Sequence, residues 1–147
     1  AKDYVLPFGK GRVVIKADKR NIQNGNTVTI ITYGMGVYWA KLAAEKFPGQ
    51  IEILDLRTLQ PLDMEFIFQS VKTHNRCLVI TEEPRENSFA QALSGKIQEN
   101  CFTYLDAPVK VLGSENVPAI PLNSILEECY LPNSKKVTDK INELINF

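Results

Sequence analysis

The chain is best approached through the segment Ile51-Glu-Ile-Leu-Asp-Leu-Arg-Thr-Leu-Gln-Pro-Leu-Asp63. Its first half is dense in apolar residues, which is typical of a strand covered on both faces of a sheet. The strand ends in polar residues, Asp55 and Arg57, and the chain then turns at Pro61. Asp63 is a candidate N-cap, because its carboxylate can accept a hydrogen bond from a first-turn amide of the following helix. The segment therefore predicts one strand–loop–helix unit.

The polar end of this strand has two interpretations. Functional groups gather at the carboxyl ends of strands in open α/β sheets, so Asp55 and Arg57 are candidate site residues. The alternative is that both side chains merely solvate a loop. Spacing alone favours the second interpretation.

Length and charge limit the classes of protein to which the chain can belong. Its 147 residues predict one domain, residues 1–147, and its 17 basic and 17 acidic side chains cancel. We therefore expect neither a nucleic-acid partner nor a membrane partner. No apolar run approaches the roughly 20 residues of a membrane span, and no signal peptide is evident, so we expect a cytoplasmic protein.

Cysteine and histidine are too sparse for a metal or nucleophile site. The three cysteines, Cys77, Cys101 and Cys129, are widely spaced, which suits a reducing compartment. The one histidine, His74, follows a predicted helix, where we expect a surface or capping residue. We therefore expect no catalytic residue and no metal ligand, and the chain is a poor candidate for a complete enzyme.

The remaining pattern predicts an α/β fold. Residues 1–11 contain Pro7 and two glycines and show no period, so we expect an extended arm from a preceding domain. A polar turn at residues 18–26 separates two early strands that we expect to pair antiparallel at a sheet edge. The later strands alternate with helices. This order predicts a three-layer α/β/α sandwich with a mostly parallel five-stranded sheet and one antiparallel edge strand.

Two loops at strand ends invite comparison with ligand sites. Gly34-Met35-Gly36 resembles part of a phosphate-binding turn, but position 39 is Trp, so a tight turn for close helix–sheet contact is favoured. Glu82 and Glu83 are adjacent on an extended chain and are expected to point in opposite directions. If Gly34, Arg57 and Arg85 converge at one sheet edge, a free-standing anion- or nucleotide-binding regulatory module is an alternative function.

Several segments, taken together, resemble a known family. They recur in its order and spacing: Tyr4-Val-Leu-Pro-Phe-Gly-Lys10, Val28-Thr-Ile-Ile-Thr-Tyr-Gly34, Asp55-Leu-Arg-Thr-Leu-Gln-Pro-Leu-Asp63, Val79-Ile-Thr-Glu-Glu-Pro-Arg85 and Phe102-Thr-Tyr-Leu-Asp-Ala-Pro108. The set resembles the C-terminal domain of the transketolase superfamily. It is most similar to the β part of thiamine-diphosphate-dependent 2-oxo acid dehydrogenases, the first component of those complexes.

The resemblance implies a non-catalytic domain of a larger enzyme. In the family, thiamine diphosphate and magnesium lie between two other domains, so no cofactor is expected on this one. The intact enzyme would decarboxylate pyruvate or a branched-chain 2-oxo acid and transfer the acyl group to lipoamide. This domain would join subunits into a homodimer and support the active-site walls. Asp55, Arg57, Glu82 and Arg85 are then candidates for domain-interface loops.

The resemblance also implies a docking site. In some members an aspartate of the Leu-Asp-Ala-Pro segment and the chain's terminal carboxylate meet basic residues of the acyltransferase core's subunit-binding domain. The matching positions are Asp106 and Phe147. Charge-assisted pairs of this kind are strong and set register. Alternatively, Asp106 caps the turn before Pro108, which is compatible with docking.

The chain departs from the family pattern in one loop. Thr81 stands where many relatives have a histidine, and residues 86–90 replace a glycine-rich segment. The contacts of this loop with neighbouring domains are therefore in doubt. The equivalent domain of a transketolase or a deoxyxylulose-phosphate synthase is a second alternative within the superfamily.

Overall fold

The sheet strands and their helices alternate along the chain, as seen in a computed structural model that describes Val5 and residues 7–147. The strands are β1 (Arg12–Ile15), β2 (Val28–Thr32), β3 (Ile51–Asp55), β4 (Cys77–Pro84) and β5 (Lys110–Ser114). The helices are α1 (Lys19–Gln23), α2 (Gly36–Ala44), α3 (Met64–His74), α4 (Phe89–Cys101), α5 (Ser124–Tyr130) and α6 (Ser134–Ile145), with a 3-10 turn at Phe102–Tyr104. The predicted arm at residues 1–11 lies partly outside the described residues.

The five strands form one sheet in the order β1-β3-β2-β4-β5. All neighbouring pairs are parallel except β1 and β3, which are antiparallel. The predicted mostly parallel sheet with one antiparallel edge strand is therefore confirmed. The predicted partner of the edge strand is wrong, because β1 pairs with β3 and not with β2.

The connection between β1 and β2 explains the wrong partner. It is not a tight turn, because residues 19–23 form helix α1. The amide of Asp18 donates a hydrogen bond of 2.8 Å to the carbonyl oxygen of Gly49, just before β3. This contact brings the chain that leaves β1 alongside the start of β3, whereas Gly25, with φ of 65°, turns it back towards β2.

Both faces of the sheet are covered by helices. Alternate residues of the central strands point to opposite faces, so Ile30 and Ile53 pack under α2 and α6, and Ile31 and Leu54 pack under α3 and α4. Every residue of β2 is buried. This two-sided burial confirms the three-layer arrangement and explains the continuous apolar runs in the sequence.

The turn between β2 and α2 confirms the interpretation of a close helix–sheet contact. Gly34 has φ of 56°, a left-handed conformation that favours glycine. A Cβ at Gly36 would collide with the side chain of Thr32 and would lie 3.3 Å from Cγ2 of Ile80. The second glycine therefore allows α2 to begin directly against the sheet.

The predicted cap at Asp63 is wrong. Asp63 precedes α3, but its side chain accepts no hydrogen bond from the first turn. Its carboxylate instead lies 3.5 Å from Nζ of Lys10 and accepts a 3.4 Å hydrogen bond from the amide of Gly11. The carboxylate of Asp63 therefore contacts Lys10 and Gly11, in the segment before β1, and not the first turn of α3. By contrast, Ser88 and Asn133 do cap α4 and α6.

The expectation that His74 lies on the surface is also wrong. It ends α3, as predicted, but its side chain is only 1% exposed because the end of α3 packs against the starts of β2 and β3. Nδ1 lies 2.9 Å from the hydroxyl of Thr27, and Nε2 lies 3.1 Å from Oε1 of Glu52 without the alignment of a hydrogen bond. Oε1 of Glu52 also accepts a 2.7 Å hydrogen bond from Ser70.

This polar cluster makes the stability of the fold dependent on pH. Partial burial by itself would raise the pKa of Glu52, but the contacts with His74 and Ser70 outweigh it and lower the pKa below its ordinary value of 4.5. A carboxyl group with a lowered pKa stabilises the fold above its ordinary pKa. That contribution is lost as the pH falls through the lowered value.

We expect Glu52→Gln to lower the free energy of unfolding at pH 7 by about 1–3 kcal/mol, since it removes the charge that His74 and Ser70 contact. The variant should also lose less stability than the parent on acidification, as measured by urea unfolding at pH 7 and in the acid range. Glu143→Gln is the control, because Glu143 forms an exposed pair with Lys140. Equal effects of the two substitutions would contradict a role for the cluster.

Candidate functional site

A cavity of about 410 Å³ lies at the carboxyl ends of β2 and β3. Its polar lining comes from Arg12, Tyr33, Asp55 and Arg57, next to Gly34 and the first turn of α2. In open parallel α/β sheets, ligands bind in the crevice outside the carboxyl ends of the strands. The cavity is therefore the first candidate for a functional surface.

Asp55 organises the loop beside this cavity. It is 5% exposed, and its Oδ2 lies 3.2 Å from Nη1 of Arg57 and 3.8 Å from Nη2 of Arg12. Its Oδ1 accepts a 3.2 Å hydrogen bond from the amide of Arg57. Arg57 has φ of 62°, which is unfavourable for a side chain of this size. Asp55 thus fixes the conformation of Arg57 and does more than solvate the loop, whereas the side chain of Arg57 is itself 38% exposed.

A second polar cluster joins the ends of β2 and β4. Oε1 of Glu83 accepts hydrogen bonds from the hydroxyls of Tyr33 and Thr81, both at 3.1 Å, and from the amide of Phe89 at 3.0 Å. Burial raises the pKa of Tyr33; the hydrogen bond with Thr81 opposes this, and the charge of Glu83 adds to it. The phenol therefore stays protonated and serves as a donor, and Glu83 ties two strands to the start of α4.

Sequence reasoning predicted the directions of the glutamates but missed the role of Glu83. Glu82 is exposed and Glu83 is half-buried, so the two point in different directions as predicted. The signal for Glu83 was its spacing from Thr81, since residues two apart on a strand share a face. The serine cap at position 88 added to that signal, because α4 begins directly after it. The first amide of that helix, Phe89, donates a hydrogen bond to Glu83.

Arg85 does not join Gly34 and Arg57. The first cavity includes the latter two residues, whereas Arg85 lines two other cavities beside β5. The reason is an irregularity in β4 between Ile80 and Pro84, after which the amide of Arg85 donates a 3.0 Å hydrogen bond to Ser114. Gly34, Arg57 and Arg85 therefore do not line one site, as the anion- or nucleotide-binding alternative requires.

Neither metal ligands nor reactive thiols are grouped here. Within Val5 and residues 7–147, no three or more histidine, cysteine, aspartate or glutamate side chains are placed to hold a metal ion. Burial raises the pKa of the Cys77 and Cys101 thiols, so neither has thiolate character. In the same part of the chain, no helix is long and apolar enough to cross a membrane.

Comparison with known proteins gives the family. Residues 17–137 match the family described as transketolase, C-terminal domain. The chain belongs to this family. A split-gene transketolase, described as an inactive beta4 tetramer, has the same fold with a TM-score of 0.73 at 19% identity, covering 99% of this chain and 44% of the other. The resemblance inferred from the sequence motifs is thus confirmed.

Two relatives with similar sequences are dehydrogenase β subunits. The 2-oxoisovalerate dehydrogenase subunit beta of Bacillus subtilis is 37% identical over 150 residues, covering 100% of this chain and 43% of the relative. The pyruvate dehydrogenase E1 component subunit beta of Rhizobium meliloti is 32% identical over 142 residues, covering 95% of this chain and 29% of the relative. The chain thus spans less than half the length of these relatives.

The two residues of this chain that were predicted for docking, Asp106 and Phe147, are both exposed. Asp106 is 54% exposed in its side chain, and its Oδ2 lies 3.7 Å from Nη1 of Arg76. Its amide donates a 2.9 Å hydrogen bond to the carbonyl oxygen of Asn75. Phe147 is exposed as well. Asp106 thus presents a carboxylate that is only partly engaged by the domain itself.

Asp106 precedes β5, and Phe147 follows α6 by two residues. Asp106 comes four residues before Lys110, the first residue of β5. Glu143, in the last turn of α6, has a pKa lowered by its hydrogen bond from Lys140, and the positive charge of Lys110 adds to this.

The domain exposes an apolar segment after β5, which we call the apolar arm (residues 117–126). Its large apolar side chains are between 40% and 105% exposed, and they are Val117, Ile120, Leu122, Ile125 and Leu126. The base of the arm is anchored, because the amide of Glu115 donates a 3.3 Å hydrogen bond to the carbonyl oxygen of buried Tyr130. Contiguous exposed apolar side chains of this kind mark interaction surfaces.

We expect Asp55→Asn to lower the free energy of unfolding by about 1–3 kcal/mol, because the buried charge that holds Arg57 is removed. Urea unfolding of the variant and the parent measures the difference. Asp63→Asn is the matched control, and its effect should stay below about 1 kcal/mol because its partner Lys10 is exposed. A loss at Asp63 as large as that at Asp55 would contradict the assigned role.

Proposed function

We propose that this domain is the C-terminal part of the β portion of a 2-oxo acid dehydrogenase, in its first, decarboxylating component. The intact enzyme would oxidatively decarboxylate pyruvate or a branched-chain 2-oxo acid and pass the acyl group to lipoamide. Similarity along the whole chain to subunits named for pyruvate and for 2-oxoisovalerate supports this enzyme class. Three free cysteines suit a reducing cytoplasm.

The cofactors of that enzyme, thiamine diphosphate and magnesium, do not fit the residues of this domain. Magnesium in such sites is held by carboxylate oxygens and phosphates. In the cavity at β2 and β3, the carboxylate of Asp55 is already engaged by two arginines. No other acidic cluster with ligand spacing occurs in the described part of the chain. We therefore assign both cofactors to other domains and no catalytic step to this one.

The role that remains is subunit association, and the apolar arm is the observation that carries it. Burying a large aliphatic side chain contributes about 1.5–3 kcal/mol, so five such side chains left in water are a large unfavourable surface. A second copy of the same subunit is the proposed partner, giving a homodimer. Because the base of the arm is held by a backbone hydrogen bond, association would cost less conformational entropy than it would for a free segment.

The loops at the carboxyl ends of the strands are proposed to face neighbouring domains of the same enzyme. Arg57 is held rigidly by Asp55, while Glu82 and Arg85 are exposed at the end of β4. Fixed charges of this kind give register to a polar interface more than they give affinity. This arrangement agrees with a supporting surface for an active site built elsewhere in the enzyme.

Asp106 and Phe147 are proposed to dock the subunit-binding domain of the acyltransferase core. The exposed carboxylate of Asp106 can pair with a basic residue of that domain, and the weak 3.7 Å contact with Arg76 leaves it free to do so. Both residues are exposed, as a docking surface requires.

For subunit association, we expect Leu122→Glu combined with Ile125→Glu to weaken dimerisation of the full-length enzyme at least tenfold, because charges replace apolar contacts. Sedimentation equilibrium measures the dissociation constant. Leu42→Glu is the matched control, since Leu42 is also exposed on a helix but lies on α2. If the double variant associates as tightly as the control, the arm is not the subunit interface.

For docking, we expect Asp106→Lys to weaken binding of the full-length enzyme to the acyltransferase core's subunit-binding domain about tenfold or more, because the new charge repels its basic partner. Isothermal titration calorimetry measures the affinity. Asp139→Lys serves as control, since Asp139 is an exposed aspartate on α6. Normal binding by the Asp106 variant would rule out the assignment.

A further inference from the structure

The strand β5 is an edge of the sheet with unused backbone groups. It stands at the end of the strand order, and β4 is its neighbour on the inner side. The carbonyl oxygen of Ser114 faces β4, because it accepts a hydrogen bond from Arg85, whereas the amide of Val109 donates to the side chain of Gln98. Backbone groups alternate in direction along a strand, so those of Val111 and Gly113 face outward.

A groove follows this outer edge. One cavity of about 280 Å³ is lined by Val109, Lys110 and Val111. A second, of about 460 Å³, is lined by residues 111–116 and by Glu86, so that two acidic side chains, Glu86 and Glu115, border this half. Arg85 and Lys140 line both cavities. The groove is therefore long enough to follow the whole of β5, and its two halves meet at a pair of cationic side chains.

The first half of the groove is positively charged. Arg85, Lys110 and Lys140 come from three different elements, and no acidic side chain lines this cavity. Lys140 pairs with Glu143 at 2.7 Å, but neither Arg85 nor Lys110 has an ion-pair partner within Val5 and residues 7–147. The Arg85 backbone is fixed at both its amide and its carbonyl oxygen, which accepts a 2.8 Å hydrogen bond from Ser88.

We propose that the outer edge of β5 binds an extended acidic segment of a partner protein, which adds to the sheet as another strand. Backbone groups of Val111 and Gly113 would pair with the segment, as in other cases of strand addition. Carboxylates on alternate residues of the segment would meet Lys110 and Lys140. The second half of the groove adjoins the base of the apolar arm at Glu115, but the inference uses none of the exposed apolar side chains and does not rest on the proposed function.

Charge separates this occupant from the alternatives. Antiparallel pairing of β5 with β5 of a second copy would set the cationic half of each groove against the other half, where Glu86 and Glu115 are balanced by Arg85 and Lys140 and offer no net negative charge. A small anion would use the cations but leave the outward backbone groups of Val111 and Gly113 unpaired. An acidic segment in extended conformation satisfies both features at once.

The test measures binding of a fluorescent peptide, acetyl-Thr-Glu-Val-Glu-Thr-Glu-Val-Glu, to the full-length protein by fluorescence anisotropy. We expect saturable binding that weakens as salt is added, and no binding of the peptide with lysine in place of glutamate. Two further peptides carry N-methyl groups on alternate residues, one on the odd and one on the even positions. One of these should bind at least tenfold more weakly, because only one set of amides faces β5.

Variants of the protein locate the site. Lys110→Glu combined with Lys140→Glu should weaken binding at least tenfold, whereas Lys135→Glu, on an exposed position of the same helix, should leave it unchanged. Val111→Pro should weaken binding by removing an outward amide, with thermal melting as the check that the variant folds. If that variant does not fold, the methylated peptides decide the same point.

Three results would each overturn the proposal. Equal binding of both methylated peptides would mean that charge alone attracts the peptide. Unchanged affinity after the double charge reversal would place the site elsewhere. Self-association of the protein that excludes the peptide, measured by sedimentation, and that is lost in Val111→Pro would assign the edge to a second copy of the chain.

Discussion

Helices cover both faces of the central strands, and this coverage dictates where polar groups can lie. Every residue of β2 is buried, and β3 is nearly as inaccessible. An unpaired polar side chain in such a layer costs several kcal/mol, about 2–7 by transfer measurements, so the interior positions are apolar or hydrogen-bonded. Charged and titratable groups are thereby confined to the two ends of the strands and to the outer surfaces of the helices.

The two ends of the sheet use their polar residues differently. At the amino ends, buried His74 and partly buried Glu52 form a pair that joins α3 to the starts of β2 and β3. At the carboxyl ends, Asp55 and Glu83 each collect several hydrogen bonds and hold the loops that follow β3 and β4. These carboxylates are engaged by the protein itself. Asp55 and Glu83 therefore fix the geometry of the loops that follow their strands.

The surfaces that remain are suited to binding other proteins. The apolar arm, the carboxylate of Asp106 and the cationic edge of β5 each present a different kind of chemistry to solvent. Exposed apolar area favours a permanent subunit interface, whereas an exposed charge or a strand edge favours transient binding of a partner.

The sequence by itself determined the layer architecture, the alternation of strands and helices and the family, because these depend on local periodicity and on motifs contiguous along the chain. Residues 51–63 gave the strand, loop and helix correctly. Tertiary structure decided the partner of β1, the burial of His74 and the contacts of Asp63, and it separated Arg85 from Arg57. Each depends on a contact between segments far apart in sequence, where a distant donor such as the amide of Gly11 competes with the local partner that spacing suggests.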